Sequence, residues 1–147
     1  MEKLRQLQEG NVVEIDGRKY TVLGRVGFMT MDRDGYYEKI FMTDDAVLIV
    51  SDSGVEFGFD KGEIAEFNNF DEIVEYDGKK YQFDEKDYQL VKEVISGDAK
   101  ALEGECWFWN YVAADGGVVS IGKLSFDGRR ADVVSREIDA NGVVVAG

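Results

Sequence analysis

Apolar and polar residues alternate in short runs along most of this chain, and glycine-bearing turn pairs break the runs. Alternation of period two is the pattern of half-buried strands. The clearest run is written twice. Val12-Val13-Glu14-Ile15-Asp16-Gly17-Arg18-Lys19-Tyr20 returns 61 residues later as Ile73-Val74-Glu75-Tyr76-Asp77-Gly78-Lys79-Lys80-Tyr81. Asp-Gly suits the left-handed centre of a two-residue turn, so each copy predicts a β-hairpin. A looser echo follows. Tyr37-Glu38-Lys39-Ile40-Phe41, then Asp44-Asp45 and residues 46–50, is answered by Trp109-Asn110-Tyr111-Val112, then Asp115-Gly116-Gly117 and residues 118–121. An imperfect tandem repeat of a small β unit accounts for both echoes.

Between these landmarks the pattern predicts further elements. Residues 2–8 fit two helical turns with Leu4 and Leu7 facing inward, too short to persist without docking. Gly24 and Gly27 bracket a bend or bulge in a curved strand. Strands are expected at 36–42, 46–51 and 55–59, with Val55, Phe57 and Phe59 on one face. Ile64, Phe67 and Phe70, spaced by three, predict a short helical turn or packed connector. Residues 87–96 satisfy both helical and strand periods, and periodicity does not choose between them. Residues 105–112 form the most aromatic strand, and 117–126 follow it. Closing strands are expected at 130–138 and 142–146 around Asn141-Gly142. Asp32-Arg33-Asp34-Gly35 and Asp127-Gly128 read as turns. With no proline in the chain, turn geometry rests on Gly, Asp and Asn.

The expected fold is all-β and mainly antiparallel: a tandem repeat of two small barrel-like or sandwich-like units with at most short helices. Residues 1–70 carry the first repeat, its N-terminal helix and a connector. Residues 71–147 carry the second, packed with the first as one compact unit. A chain of 147 residues is long enough for that core.

Charge narrows the partners. There are 17 basic against 30 acidic residues, a net −13, spread evenly over both halves. Such a surface repels a phosphate backbone and an anionic bilayer, so nucleic acid and membrane insertion are not expected. A protein with a basic surface is the expected macromolecular partner. The single cysteine, Cys106, allows no internal disulfide and reads as a small buried hydrophobe. No apolar run reaches the length of a membrane span, and the expected location is the cytoplasm. Nothing in the pattern specifies an oligomeric state.

The two Asp-Gly-(Arg/Lys)-x-Tyr turns, Tyr20-x-Val22-Leu23-Gly24-Arg25, Tyr37-Glu38 and the Tyr111-Val112-x-x-Asp115-Gly116-x-x-x-Ser120-Ile121 stretch resemble the bacterial family called domain of unknown function 4178. The resemblance covers roughly residues 10–138. The chain departs from the family's aromatic-Glu-Tyr pattern at Lys39, which stands in the place of the tyrosine. The resemblance implies a bacterial, mostly β domain, often part of a longer or operon-linked system. It implies no activity, cofactor or catalytic residue.

Candidate chemistry is sparse. Histidine is absent, which removes the usual triads, most zinc sites and the ordinary neutral-pH base. Gly24-Arg25-Val26-Gly27 lacks the third glycine of a dinucleotide loop. Asp32-Arg33-Asp34-Gly35 fails as a calcium loop, since Thr30 and Phe41 would occupy positions that need carboxylates. No catalytic residue, cofactor or metal site is therefore assigned. Glu14 and Glu75 read as the solvated face of each first strand. The best candidate ligand or interaction surface comprises Trp107, Trp109 and Tyr111, on one face of their strand, with Tyr37 of the first repeat. The competing account buries both faces of that strand between the repeats. The expected function is a non-enzymatic interaction or scaffold module. The alternative is a small-molecule or polymer ligand domain using the aromatic strand 107–111.

Overall fold

The computed structural model describes residues 2–30, 36–97, 104–124 and 130–146. The expected turns at 32–35 and 127–128 and the Cys106 side chain lie outside the described residues. A single helical turn, α1 (Glu2–Arg5), precedes eleven strands: β1 (Val12–Ile15), β2 (Arg18–Thr30), β3 (Tyr36–Met42), β4 (Ala46–Ser51), β5 (Gly54–Asp60), β6 (Ile73–Tyr76), β7 (Lys79–Gly97), β8 (Gly104–Ala113), β9 (Val118–Leu124), β10 (Arg130–Ile138) and β11 (Val143–Ala146). The fold is all-β, with short 3-10 turns at Thr43–Asp45, Ala65–Phe67 and Ala140–Gly142. The middle one is the turn that Ile64 and Phe67 announce. Residues 87–96, undecided from periodicity, continue β7 as strand.

All strands belong to one antiparallel sheet in the order β11-β1-β2-β3-β4-β5-β10-β9-β8-β7-β6. An additional pairing joins β2 to β7. Pairings can thus be followed from β2 through β3, β4, β5, β10, β9, β8 and β7 back to β2. The two expected closing strands are present as β10 and β11. Asn141-Gly142 does not turn β10 back on itself; β11 crosses to pair with β1, Val13 facing Val145 and Ile15 facing Val143.

Both Asp-Gly hairpins have the same register. Ile15 faces Arg18 in one and Tyr76 faces Lys79 in the other. Asp16, Gly17, Asp77 and Gly78 all have positive φ, as a type I′ turn requires. A bulge follows each hairpin, between Val22 and Gly24 and between Phe83 and Glu85.

Apolar side chains collect in three clusters. Leu4, Leu7, Val13, Ile15, Tyr20, Ile40, Leu48, Phe57 and Val143 are among the residues packed under α1, β1 and β11. Ile64, Phe67, Val74, Tyr81, Tyr111 and Ile121 are among those packed under β6 and the connector. Val26, Phe28, Phe41, Val47 and Phe108 form a smaller cluster on the opposite sheet surface. Hence β3 sends Ile40 and Met42 to the first cluster and Phe41 to the smaller one, as strand alternation demands.

The seam between β5 and β10 is very tight at Gly58. A Cβ there would lie 2.1 Å from the Val134 carbonyl oxygen and 2.6 Å from the Ser135 Cα, both backbone atoms. Gly58→Ala is expected to lower stability by roughly 1–3 kcal/mol through overpacking. Gly142→Ala, where a Cβ meets nothing within 4 Å, should leave the urea midpoint near that of the parent. Equal midpoints for the two variants would show that the seam relaxes freely.

Candidate functional site

Strand β8 divides its aromatic residues as alternation requires. Tyr111 is fully buried, its ring edge-on to Phe67 at 4.9 Å and to Phe83 at 5.6 Å. Its hydroxyl donates to the Asp71 carbonyl oxygen at 2.8 Å. Trp109 and Trp107 share that face but are only half-buried. The ring of Trp109 meets Phe70 at 4.7 Å, and Lys86 Nζ lies over both indoles, at 5.1 Å from Trp109 and 4.7 Å from Trp107. The aromatic strand therefore contributes one core anchor, Tyr111, and two indoles at its margin.

Tyr37 lies elsewhere. Its ring stacks on Phe28 at 5.2 Å, 8° from parallel, beside the smaller cluster. The structure brings Trp107, Trp109 and Tyr111 to one surface of the sheet and Tyr37 to the other.

On Tyr37's side the sheet encloses a cleft of about 540 Å³. Strands β3, β4 and β5 supply Tyr36, Tyr37, Lys39, Ile49, Ser51 and Glu56, and β7, β8, β9 and β10 supply Asp84, Glu85, Phe108, Asn110, Val112, Val118, Ser120 and Ser135. Asp52 and Ser53 complete the rim. Lys39 is 6% exposed. Its Nζ sits 4.4 Å from the Phe108 ring centre and 5.0 Å from that of Phe28, where the electron-rich faces attract a cation. Ser135 donates its hydroxyl to Glu56 at 3.2 Å, and Arg5 donates to Asp52 at 2.5 Å. Four carboxylates against Lys39 and the Arg5 bound to Asp52 leave the lining acidic.

Sequence reasoning missed most of these residues. Glu56, Asn110, Ser120 and Ser135 occupy the polar positions of alternating strands, and such positions read as facing water. The available signal was a weak one: polar residues on both halves fall on the strand face opposite the recognised core.

Two buried carboxylates elsewhere are structural. Glu38 accepts a two-pronged hydrogen bond from Arg25, at 2.7 and 2.8 Å, and Arg25 also donates to the Leu7 carbonyl at 3.1 Å. Asp132 accepts from Arg130 at 2.5 Å and from the Ile64 N–H at 2.7 Å. Burial raises the Asp132 carboxyl above its ordinary range, and the hydrogen bonds from Arg130 and Ile64 oppose that rise. Among the described residues no three His, Cys, Asp or Glu side chains converge to hold a metal ion. No described helix is long and apolar enough to cross a membrane.

A family model, that of a domain of unknown function (DUF4178), matches residues 8–139 of the 147. The chain belongs to this family. No curated protein and no solved structure matches it. The DUF4178 match spans every strand from β1 to β10 together with the cleft, whereas β11 lies beyond it.

Burial raises the phenol of Tyr111, and those of Tyr81 and Tyr76. A folded pKa above the unfolded value of about 10 gives stability that is complete below that value. It is lost as pH rises through the folded pKa. Absorbance titration at alkaline pH should therefore show these phenols ionising late, together with unfolding. Tyr111→Phe should remove one late phenol and cost about 1 kcal/mol for the lost hydrogen bond. Complete ionisation of all seven tyrosines before any loss of structure would contradict this account.

Proposed function

We propose that this domain is a non-enzymatic binding module whose cleft receives the cationic group of a basic protein partner. The observation that carries the reading is the lining itself, in which Asp52, Glu56, Asp84 and Glu85 surround aromatic walls of Tyr36, Tyr37 and Phe108. An acidic, partly apolar recess attracts a cation and excludes a phosphate. The net charge of −13 favours the same partner over nucleic acid. A chain without histidine, and with one cysteine, suits binding better than catalysis and fits a cytoplasmic setting.

The module is a tandem repeat, residues 1–70 and 71–147, whose two units together build the cleft. Register supports this. Strands β1 to β5 and β6 to β10 are paired in the same order. The hairpins and their bulges coincide at an offset of 61 residues. The β2–β7 seam is reciprocal at the same offset: Phe28 faces Val91 while Thr30 faces Gln89. Each unit supplies about half of the lining, so neither encloses the cleft alone.

A small amine ligand is the second reading, because the volume lies within the roughly 300–1,000 Å³ of small-molecule sites. Titration with N-acetyl-lysine amide, followed by amide shifts, should perturb Lys39, Glu56, Asn110 and Ser120. The neutral norleucine analogue should not. Glu56→Gln should weaken lysine-amide binding by about tenfold, as expected for loss of a charged hydrogen-bond acceptor. Equal binding of the neutral analogue would overturn the cationic reading. If lysine-containing peptides bind and free amines do not, the partner is a protein.

A further inference from the structure

The two hairpins share a register but not a neighbour. On the first, the outer edge of β1 is occupied by β11, with Glu14 facing Val144 and Val12 facing Ala146. On the second, among the described residues, β6 pairs only with β7. The hydrogen bonds fix which groups of β6 are free. Val22 N–H donates to the Asn11 carbonyl at 2.8 Å, and Phe83 N–H donates to the Glu72 carbonyl at 2.8 Å. Antiparallel pairing then turns Val74 and Tyr76 toward β7, and the backbone groups of Ile73 and Glu75 outward. Those groups correspond to the groups of Val12 and Glu14 that β11 satisfies. The Ile73 side chain is 61% exposed beside this edge.

We infer that the edge of β6 is a docking site for an extended, basic segment of a partner protein, which adds to the sheet as β11 adds to β1. The occupant's pattern follows from β11. Val143 is fully buried opposite Ile15, and Val145 is half-buried opposite Val13. The partner segment carries valine-like residues opposite Tyr76 and Val74, and lysine or arginine opposite Glu75. Charge selects the same occupant, because Glu66, Asp71, Glu72, Glu75 and Asp77 are all exposed around the edge. Of the two lysines across the hairpin, Lys79 is bound to Asp115 at 2.7 Å and Lys80 faces Glu75, so the acids still outnumber the cations around the edge. A second copy of this chain would bring these acids against their own kind, and like charges facing each other across strands are destabilising. This edge lies on a different surface from the cleft, and the inference does not depend on what the cleft holds.

The test uses the full chain and an acetylated, amidated peptide of alternating lysine and valine, seven residues long. Expected results are amide shifts and exchange protection at Ile73 and Glu75, with antiparallel cross-strand contacts to the peptide. Methylating the peptide nitrogens on its pairing edge should abolish binding while keeping its charge. Glu75→Pro should do the same, since it removes an outward N–H and proline is tolerated on edge strands. Glu75→Lys should weaken binding by roughly two- to fivefold, the effect of one cross-strand charge pair. The methylated peptide leaves the protein untouched, so the result does not hang on the folding of a variant. Undiminished binding of the methylated peptide overturns the inference, as does a glutamate-valine peptide that binds equally well. Shifts confined to Lys39 and Asn110 overturn it too, while supporting the cleft. Sedimentation that shows a self-dimer, lost in Glu75→Pro, assigns the edge to a second copy and overturns the basic-segment assignment.

Discussion

A strand has two edges, and β2 must serve three partners. It pairs with β3 along one edge; on the other, Arg18–Thr21 face β1 and Gly24–Thr30 face β7. Strand β7 divides itself in the same way, between β6, β8 and β2. Sharing an edge requires the strand to bend where one partner leaves and the next arrives, and the bulge beyond Val22 lies at that point. Gly27 lies beyond it, where an added Cβ would come within 2.5 Å of the Tyr36 hydroxyl. The pairing of β2 with β7 comes in addition to the linear strand order of the sheet.

Among the described residues, two buried ion pairs fasten the segments that cover the two larger clusters. Arg25, held by Glu38, also ties down the Leu7 carbonyl beside α1. Arg130, held by Asp132, bonds the Ile64 carbonyl, and Asp132 takes the Ile64 N–H. In each case a charged pair satisfies backbone groups of a short segment outside the strands. Burying such pairs costs desolvation, and their gain is in where they hold the segment rather than in net stability.

The hairpins were legible because Asp-Gly encodes a turn locally, and the connector because Ile64 and Phe67 recur at a helical interval. What was not legible depended on distant pairing. Residues 87–96 satisfy two periods, and their pairing with β8 and β2 selects the strand. Strand β11 was legible as a closing strand but not its partner: Val143 and Val145 pack opposite Ile15 and Val13, far back in the chain. The indoles of Trp107 and Trp109 suggested a core or a groove on hydrophobicity alone, whereas burial is concentrated on Tyr111. Lys39 was noticed as a departure from the family pattern, but nothing in the alternation distinguishes a lysine facing water from one between two phenyl rings.

The pairing of β11 with β1 orders events during synthesis. Most contacts of the first meander form between neighbours in sequence and become available as soon as those residues emerge. Val12 and Glu14 wait for Ala146 and Val144. Until then the first hairpin carries an open edge, with Val13 and Ile15 short of their partners, and such edges are where nascent chains misassociate. The strand that covers the edge of β1 is thus made about 130 residues after it.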